Sequence, residues 1–229
     1  MDFRKKDDTQ ETASRLVKLL QHAELQSNGA DWCDAAAALV TYVLVQVDGC
    51  LSRNWQLAAE AALVIPALVT IFSRPAAAPT LKLQAVEALR LSVCTNDANQ
   101  KIASSSAAVQ ALVDVITIPP PPPPSSQGPK AAVLARDVAE QLRDTALEAL
   151  SDLLFLQKTC QDAALAAHVM KHLILFVNCA APQSLNPAPT QAGALRVLAN
   201  LTRGNVMPPS ILHQSLLYNC IFASFLRVR

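Results

Sequence analysis

Ile65-Pro66-Ala67-Leu68-Val69-Thr70-Ile71-Phe72 is the first of three linked apolar runs. After a Pro/Ala connection the chain continues as Leu81-Lys82-Leu83-Gln84-Ala85-Val86-Glu87-Ala88-Leu89-Arg90. Then come Asn96-Asp97-Ala98-Asn99-Gln100-Lys101-Ile102 and the third run, Ala108-Val109-Gln110-Ala111-Leu112-Val113-Asp114-Val115-Ile116. Each run carries apolar residues three and four apart, the period of a helix with one buried side. In the second run Ala85, Val86, Ala88, Leu89 and Val93 form that side, and Lys82, Glu87 and Arg90 lie off it. Pro66 removes an amide donor inside its run and is expected to divide it into two helices.

The same alanine-leucine pattern recurs along the chain. It reads Ala35-Ala36-Ala37-Ala38-Leu39, Ala85 to Leu89, Ala146-Leu147-Glu148-Ala149-Leu150, and Ala194-Leu195-Arg196-Val197-Leu198. The closing leucines are Leu39, Leu89, Leu150 and Leu198, and the step from Leu89 to Leu150 is the longest. Helical repeat units of about 40–47 residues stack because one unit cannot bury its own apolar face. The long middle step holds Pro119 to Pro124 and then Ser125-Ser126-Gln127-Gly128-Pro129. That run has too much proline for helix or sheet and is expected to be an exposed polyproline II insertion over 119–129. It is either a spacer or a ligand for profilin, WW or EVH1-type modules.

The remaining elements follow from capping and punctuation. A first helix is expected over Thr9–Gln26, with Leu16, Val17, Leu19, Leu20 and Leu25 apolar, Thr9 or Thr12 as cap and Gly29 as stop. Asp31 opens a second helix to Val47, and Trp55 to Phe72 forms the next stretch. Thr80 is expected to cap Leu81–Cys94. Gln100–Ile118 then supplies a short and a medium helix. A long helix begins at Lys130 or Ala135 and runs to Leu156, with Ala146, Ala149, Leu150, Leu153 and Leu154 inward. Thr159–Val177 forms a helical pair, Thr190 caps Gln191–Thr202, and Ser210–Arg227 closes the chain after Pro208 and Pro209.

Composition agrees with an all-α fold. The 229 residues are 52% hydrophobic but only 4% aromatic, and the apolar share is mostly Ala, Leu and Val. Such residues suit closely packed helices. With 19 basic and 18 acidic residues, the net charge is +1 and no basic stripe is visible, which argues against nucleic acid as the main partner. The N-terminus lacks the apolar core of a secretory signal. Ser210–Leu226 contains His213, Gln214, Ser215 and Asn219 and reads as a buried helix rather than a membrane span. The six cysteines are widely spaced, without a C-x-x-C pair, and read as reduced, largely buried thiols. Cytoplasmic, and also nuclear, location is the expectation.

The order of motifs resembles the armadillo repeat: an I-P-A-L-V helix, a longer A-V-x-A-L helix, an N-D-x-N turn, then the next A-L-V helix. The resemblance implies a right-handed α-solenoid of about four repeats over 31–229, preceded by a capping helix in 1–30. An irregular helical bundle is the rival arrangement. In armadillo proteins the third helix of each repeat lines a concave groove through the pattern A-L-x-x-L-x-N-L, whose Asn bonds the backbone of an extended peptide. Ala194-Leu195-Arg196-Val197-Leu198-Ala199-Asn200-Leu201 carries it intact. Thr41, Leu91 and Asp152 occupy the Asn position elsewhere. Where nuclear-import receptors carry Trp, this chain has Ala37, Glu87, Glu148 and Arg196, so the ladder that grips import signals is missing.

The resemblance therefore implies a groove bearing Glu87, Glu148, Asp152, Arg196 and Asn200. Asn200 is expected to point out of the core, so that its loss hardly affects folding. The implied function is a non-enzymatic adaptor or scaffold for a protein partner. A regulator of a nucleotide-binding protein, of the Hsp70-exchange or small-GTPase kind, is the alternative. No cofactor is implied. His168 and His172 have metal-ligand spacing on a helix but no acidic companion, so a metal site is not expected. Asn200-Leu201-Thr202 fits a glycosylation sequon only by accident of helix sequence. The closing helix is rich in apolar residues, Ile211, Leu212, Leu216, Leu217, Ile221, Phe222, Phe225 and Leu226, which implies self-association or a further domain at that end.

Overall fold

Pro66 does not divide the helix that carries it. In the computed structural model, α3 runs unbroken over Ala61–Ser73 with Pro66 inside. The carbonyl that loses its donor belongs to Ala62, an exposed residue, so water can serve it. Val64, Ile65, Leu68, Ile71 and Phe72 are buried on both sides of the proline, and their packing holds the segment as one rod. Thr70 donates its hydroxyl to the Pro66 carbonyl (3.0 Å).

The structure describes residues 3–26, 29–49, 61–94, 96–105, 107–117, 129–177 and 188–204. Among these, every regular element is a helix: α1 (Phe3–Leu25), α2 (Gly29–Gly49), α3, α4 (Pro79–Val93), α5 (Asp97–Ser105), α6 (Ala108–Thr117), α7 (Pro129–Leu154), α8 (Lys158–Ala166), α9 (Val169–Val177) and α10 (Ala188–Gly204). None of the described helices is long and apolar enough to cross a membrane. The expected proline insertion over 119–129, apart from Pro129 at the start of α7, lies outside the described residues. So do the closing helix Ser210–Arg227 and the first part of the expected Trp55–Phe72 stretch.

Several helix ends differ from the sequence reading. Thr9 and Thr12 lie inside α1, and Gly29 begins α2 instead of stopping α1. In α1 the buried residues are Ala13, Val17, Leu20 and Ala23, whereas Leu19 and Leu25 are exposed. The inward stripe differs from the expected one, because Ala13 and Ala23 share it with Val17 and Leu20 while Leu19 and Leu25 face away. Pro79, not a Thr80 cap, starts α4: its missing donor costs nothing in a first turn. Asn96 caps α5, its Oδ1 accepting from the Asn99 amide (3.1 Å), so the expected turn is the first turn of a helix. Thr190 sits within α10, and its hydroxyl donates to Asp144 Oδ1 on α7 (2.5 Å) instead of capping. Of the described cysteines only Cys160 is buried; Cys94 is partly so and Cys33 is exposed.

The long helices form a sequential row. α4 packs on α2 and α7, and α7 packs on α10. Leu39, Leu89, Leu150 and Leu198, the residues that set the register of the recurring pattern, are all buried in the common core. So are Ala85, Ala146 and Ala194. The contacts of α7 with α10 rise together along both helices: Asp144 with Thr190, Glu148 with Arg196, Ser151 with Asn200. The two helices therefore run parallel. They also approach closely, since a Cβ on Gly193 would stand 3.0 Å from Leu147 Cβ.

Two glutamines fix the shorter helices to this row in the same way. Gln100 Nε2 donates to the carbonyls of Val93 (3.2 Å) and Asp152 (3.0 Å). Gln161 Nε2 donates to those of Leu154 (3.0 Å) and Asn200 (3.1 Å). The step from Gln100 to Gln161 equals that from Val93 to Leu154, and both equal the step from Leu89 to Leu150. The step from Asp152 to Asn200 equals that from Leu150 to Leu198. The turns after α5 and α8 match as well. Ala107 (φ 58°) and His168 (φ 56°) hold left-handed backbone, again separated by the Leu89-to-Leu150 step. Replacing Gln161 with Leu should remove the side-chain donor that two carbonyls share, leaving Leu154 only the longer bond from the Gln157 amide (3.4 Å), and cost about 1–3 kcal/mol. Urea unfolding should show it as a lower midpoint; an unchanged midpoint would mean that water replaces the clamp at no loss.

Candidate functional site

The residues on the outward side of α4, α7 and α10 are placed by the core beneath them. Glu87, Glu148 and Arg196 each precede a buried leucine by two positions and share one register. A helix that buries Leu89, Leu150 or Leu198 turns these positions toward the helix edge, where neighbouring rows meet. The structure brings four of the five expected residues into one charged ladder, with Asn200 beside it.

Arg90 is the hub of that ladder, and it was missing from the groove residues expected from the sequence. Its Nε and Nη2 bind both carboxylate oxygens of Glu87 (2.8 and 2.6 Å), and Nη1 reaches Glu148 at 3.7 Å. Arg196 meets the other Glu148 oxygen at 3.9 Å. The hydrogen bonds that Arg90 donates to Glu87, the main cause, hold its guanidinium well above the usual range, with Glu148 and Asp152 adding to the effect against a cost of burial. The signal for Arg90 was its spacing three residues after Glu87, which pairs charges on a helix surface.

Asp152 lies one turn beyond Glu148 and is half-buried. Burial raises its carboxyl above the ordinary range and Glu148 adds to this, while Arg90 and Arg196 pull the other way. Both arginines reach toward Glu148, so Asp152 feels them at longer range. Cys94 stands in the same field: burial and Asp152 raise its thiol, opposed by Arg90.

Asn200 is tied into the fold. Its Nδ2 donates to the Ser151 carbonyl (2.9 Å) and hydroxyl (3.0 Å) on α7. The expectation of a side chain clear of the core therefore needs correcting, and the sequon has its amide nitrogen engaged within the helical row. The contact has a counterpart one long helix earlier. Asp152 aligns with Asn200 and Arg90 with Ser151 in the register of the leucines, so an ionic attraction between α7 and α4 stands where a neutral hydrogen bond joins α10 to α7.

Farther along, Arg203 lies over the ring of the exposed Phe155, 5.3 Å from its centre. On α2 the aligned positions are Ala37 and Thr41, both exposed and uncharged. His168 occupies the turn before α9 and only His172 is in the helix, so the pair does not share a helical face. An open concavity of 480 Å³ between α1 and α3, lined by Glu24, Pro66, Val69, Thr70, Ser73 and Arg74, shares no residue with the ladder. There Arg74 lies 4.2 Å from the centre of the buried Trp32 ring and 3.8 Å from Glu24. No protein-family model and no curated protein matches the sequence.

Two substitutions separate structural from surface roles. Asn200→Ala should destabilise the fold by about 1–3 kcal/mol, because the Ser151 hydroxyl and carbonyl lose a donor at a part-buried site. A melting curve identical to that of the unaltered protein would contradict it. Asp152→Asn should act in the opposite sense at neutral pH. A carboxyl whose folded-state value is raised binds its proton more tightly in the folded chain, so ionising it opposes folding. That opposition is complete above the folded-state value and vanishes below the unfolded one. Asp152→Asn should therefore raise the melting temperature at pH 7, and the gain should fade on acidification. A loss of stability at pH 7 would show that the attraction of Arg90 and Arg196 outweighs burial.

Proposed function

We propose that the chain is an armadillo-like right-handed helical solenoid of about four repeats, and that it works as a non-enzymatic adaptor or scaffold. The face built by α4, α7 and α10 is the groove of that solenoid and receives a protein partner. The observation that carries this reading is the pair of glutamine clamps. Identical bonding, spaced by the same steps that separate Leu89, Leu150 and Leu198, is what repeated units joined by one interface would produce. An irregular bundle has no reason to repeat it.

The ladder supports partner binding over a purely structural role. Glu148 is about half exposed and Arg196 more so, at 45% and 64% of their side chains. Ion pairs this open contribute little to stability, so the fold does not need them in this arrangement. Partly desolvated charges in a fixed pattern favour specificity and the rate of encounter. A site in the cytoplasm or nucleus belongs to the same proposal.

Affinity capture from cell lysate with the unaltered chain, beside an Asp152→Ala/Arg196→Ala variant, tests it. Partners held by the face should be reduced tenfold or more in the variant, whose circular dichroism should remain that of the parent. Equal capture by both chains would move the binding surface elsewhere, to the opposite side or the chain end.

A further inference from the structure

The exposed side of α7 and α10 is electrically polar across its width. On α7 and the turn that follows it, Glu148, Asp152 and Phe155 fall at intervals of four and three. On α10, Arg196, Asn200 and Arg203 have the same intervals. The two helices run parallel, and each residue of one row is separated from its counterpart in the other by the Leu150-to-Leu198 step. Glu148 faces Arg196 at 3.9 Å, and Phe155 lies under Arg203 at 5.3 Å. One row thus presents two carboxylates and the next presents two guanidiniums. Neither row carries its own counter-charge: Glu148 is met by arginines of the two neighbouring helices at 3.7 and 3.9 Å, and Arg203 lies over a ring.

We propose that this face selects an extended partner segment of mixed charge, with a basic side chain over α7 and an acidic one over α10. The inference rests on the reading that the face binds a partner, and it adds what that partner must carry. A strand laid across parallel helices directs alternate residues toward them, about 7 Å apart. Helix axes lie about 8–10 Å apart, and long Lys and Glu side chains span the difference. A basic residue over α7 reaches Asp152, whose neighbouring arginines are held by other carboxylates, Arg90 by Glu87 and Arg196 by Glu148. An acidic residue over α10 reaches Arg196 and Arg203. A doubly basic segment would set one cation against the arginines, and a doubly acidic one would set an anion against Glu148 and Asp152. Like charges brought together at such a surface oppose binding, so the face discriminates by repulsion as well as by attraction.

The test uses four labelled synthetic peptides of equal length that differ only at the centre: Lys-Val-Glu, Glu-Val-Lys, Lys-Val-Lys and Glu-Val-Glu in a serine and valine background. Binding is read by fluorescence anisotropy at low salt. One or both mixed peptides should bind at least tenfold tighter than either like-charged peptide. Arg196→Glu/Arg203→Glu should turn the preference to the doubly basic peptide, and Asp152→Lys should turn it to the doubly acidic one, with helical content retained in both. Equal binding of all four peptides would overturn this inference and leave groove binding standing. Failure of every peptide to bind would overturn both. A preference unchanged by either reversal would also sink the inference, by placing the peptide on another surface.

Discussion

The last carbonyls of α4 and α7, beyond the regular intrahelical bonding, govern how the row of helices is held together. A helix leaves its last carbonyls without intrahelical donors, and here those ends are buried by the next short helix. A backbone acceptor buried without a donor costs a large share of a typical domain's stability. Gln100 and Gln161 supply donors at Val93 and Leu154, beside the turn amides of Asn96 (3.2 Å) and Gln157 (3.4 Å). Each uses the same amide nitrogen to reach the next long helix, at Asp152 and at Asn200. One side chain thus ends a helix, orients the short helix that carries it, and sets the height of the following long helix. Polar connections of this kind fix register more strongly than alanine-leucine packing does, since small apolar side chains tolerate sliding.

Much of the fold was legible because periodicity reports burial directly. The inward residues of α4 and of the second half of α7 read correctly from the alanine-leucine pattern, and the register of the four leucines matched buried positions. Helix ends were less legible. Thr80 and Thr190 have capping chemistry, but whether a hydroxyl caps depends on where the chain enters the helix. Pro79 preset that entry for α4, and Asp144 offered Thr190 a better partner. Pro66 was misread because the cost of a proline depends on whether the orphaned carbonyl can meet water, which local sequence does not encode.

The candidate site was legible as a set of positions and not as a set of interactions. Glu87, Glu148 and Arg196 were found through the groove pattern of the resemblance, and the structure sets them at helix edges in one register. Arg90 was passed over because the groove pattern has no place for it, although it makes the strongest bonds in the ladder. Asn200 was read as a free ligand amide. Its commitment to Ser151 depends on a residue far earlier in the chain, brought close by a packing distance that Gly193 makes possible. Long-range pairing of this kind has no local trace.

Repetition and divergence are distributed unevenly between core and surface, and the division has a physical reason. Position by position, Ala85, Ala146 and Ala194 are identical and buried, as are Leu89, Leu150 and Leu198. The interhelical distance allows one side-chain volume there, and each long helix must present the same surface to the next. On the outward side Glu87 and Glu148 are acidic where Arg196 is basic, and at the helix interface Arg90 stands where α7 has the buried Ser151. Nothing in the packing requires Glu87, Glu148 and Arg196 to agree, because each keeps contact with water. Their cross-helix contacts nonetheless keep their position while changing in kind, from the ionic attraction of Asp152 and Arg90 to the hydrogen bond of Asn200 and Ser151. Two rows that meet at the same places with different chemistry create a gradient of charge across an otherwise regular face. A partner bound there would be read one row at a time, and the register in which it sits would follow from that gradient.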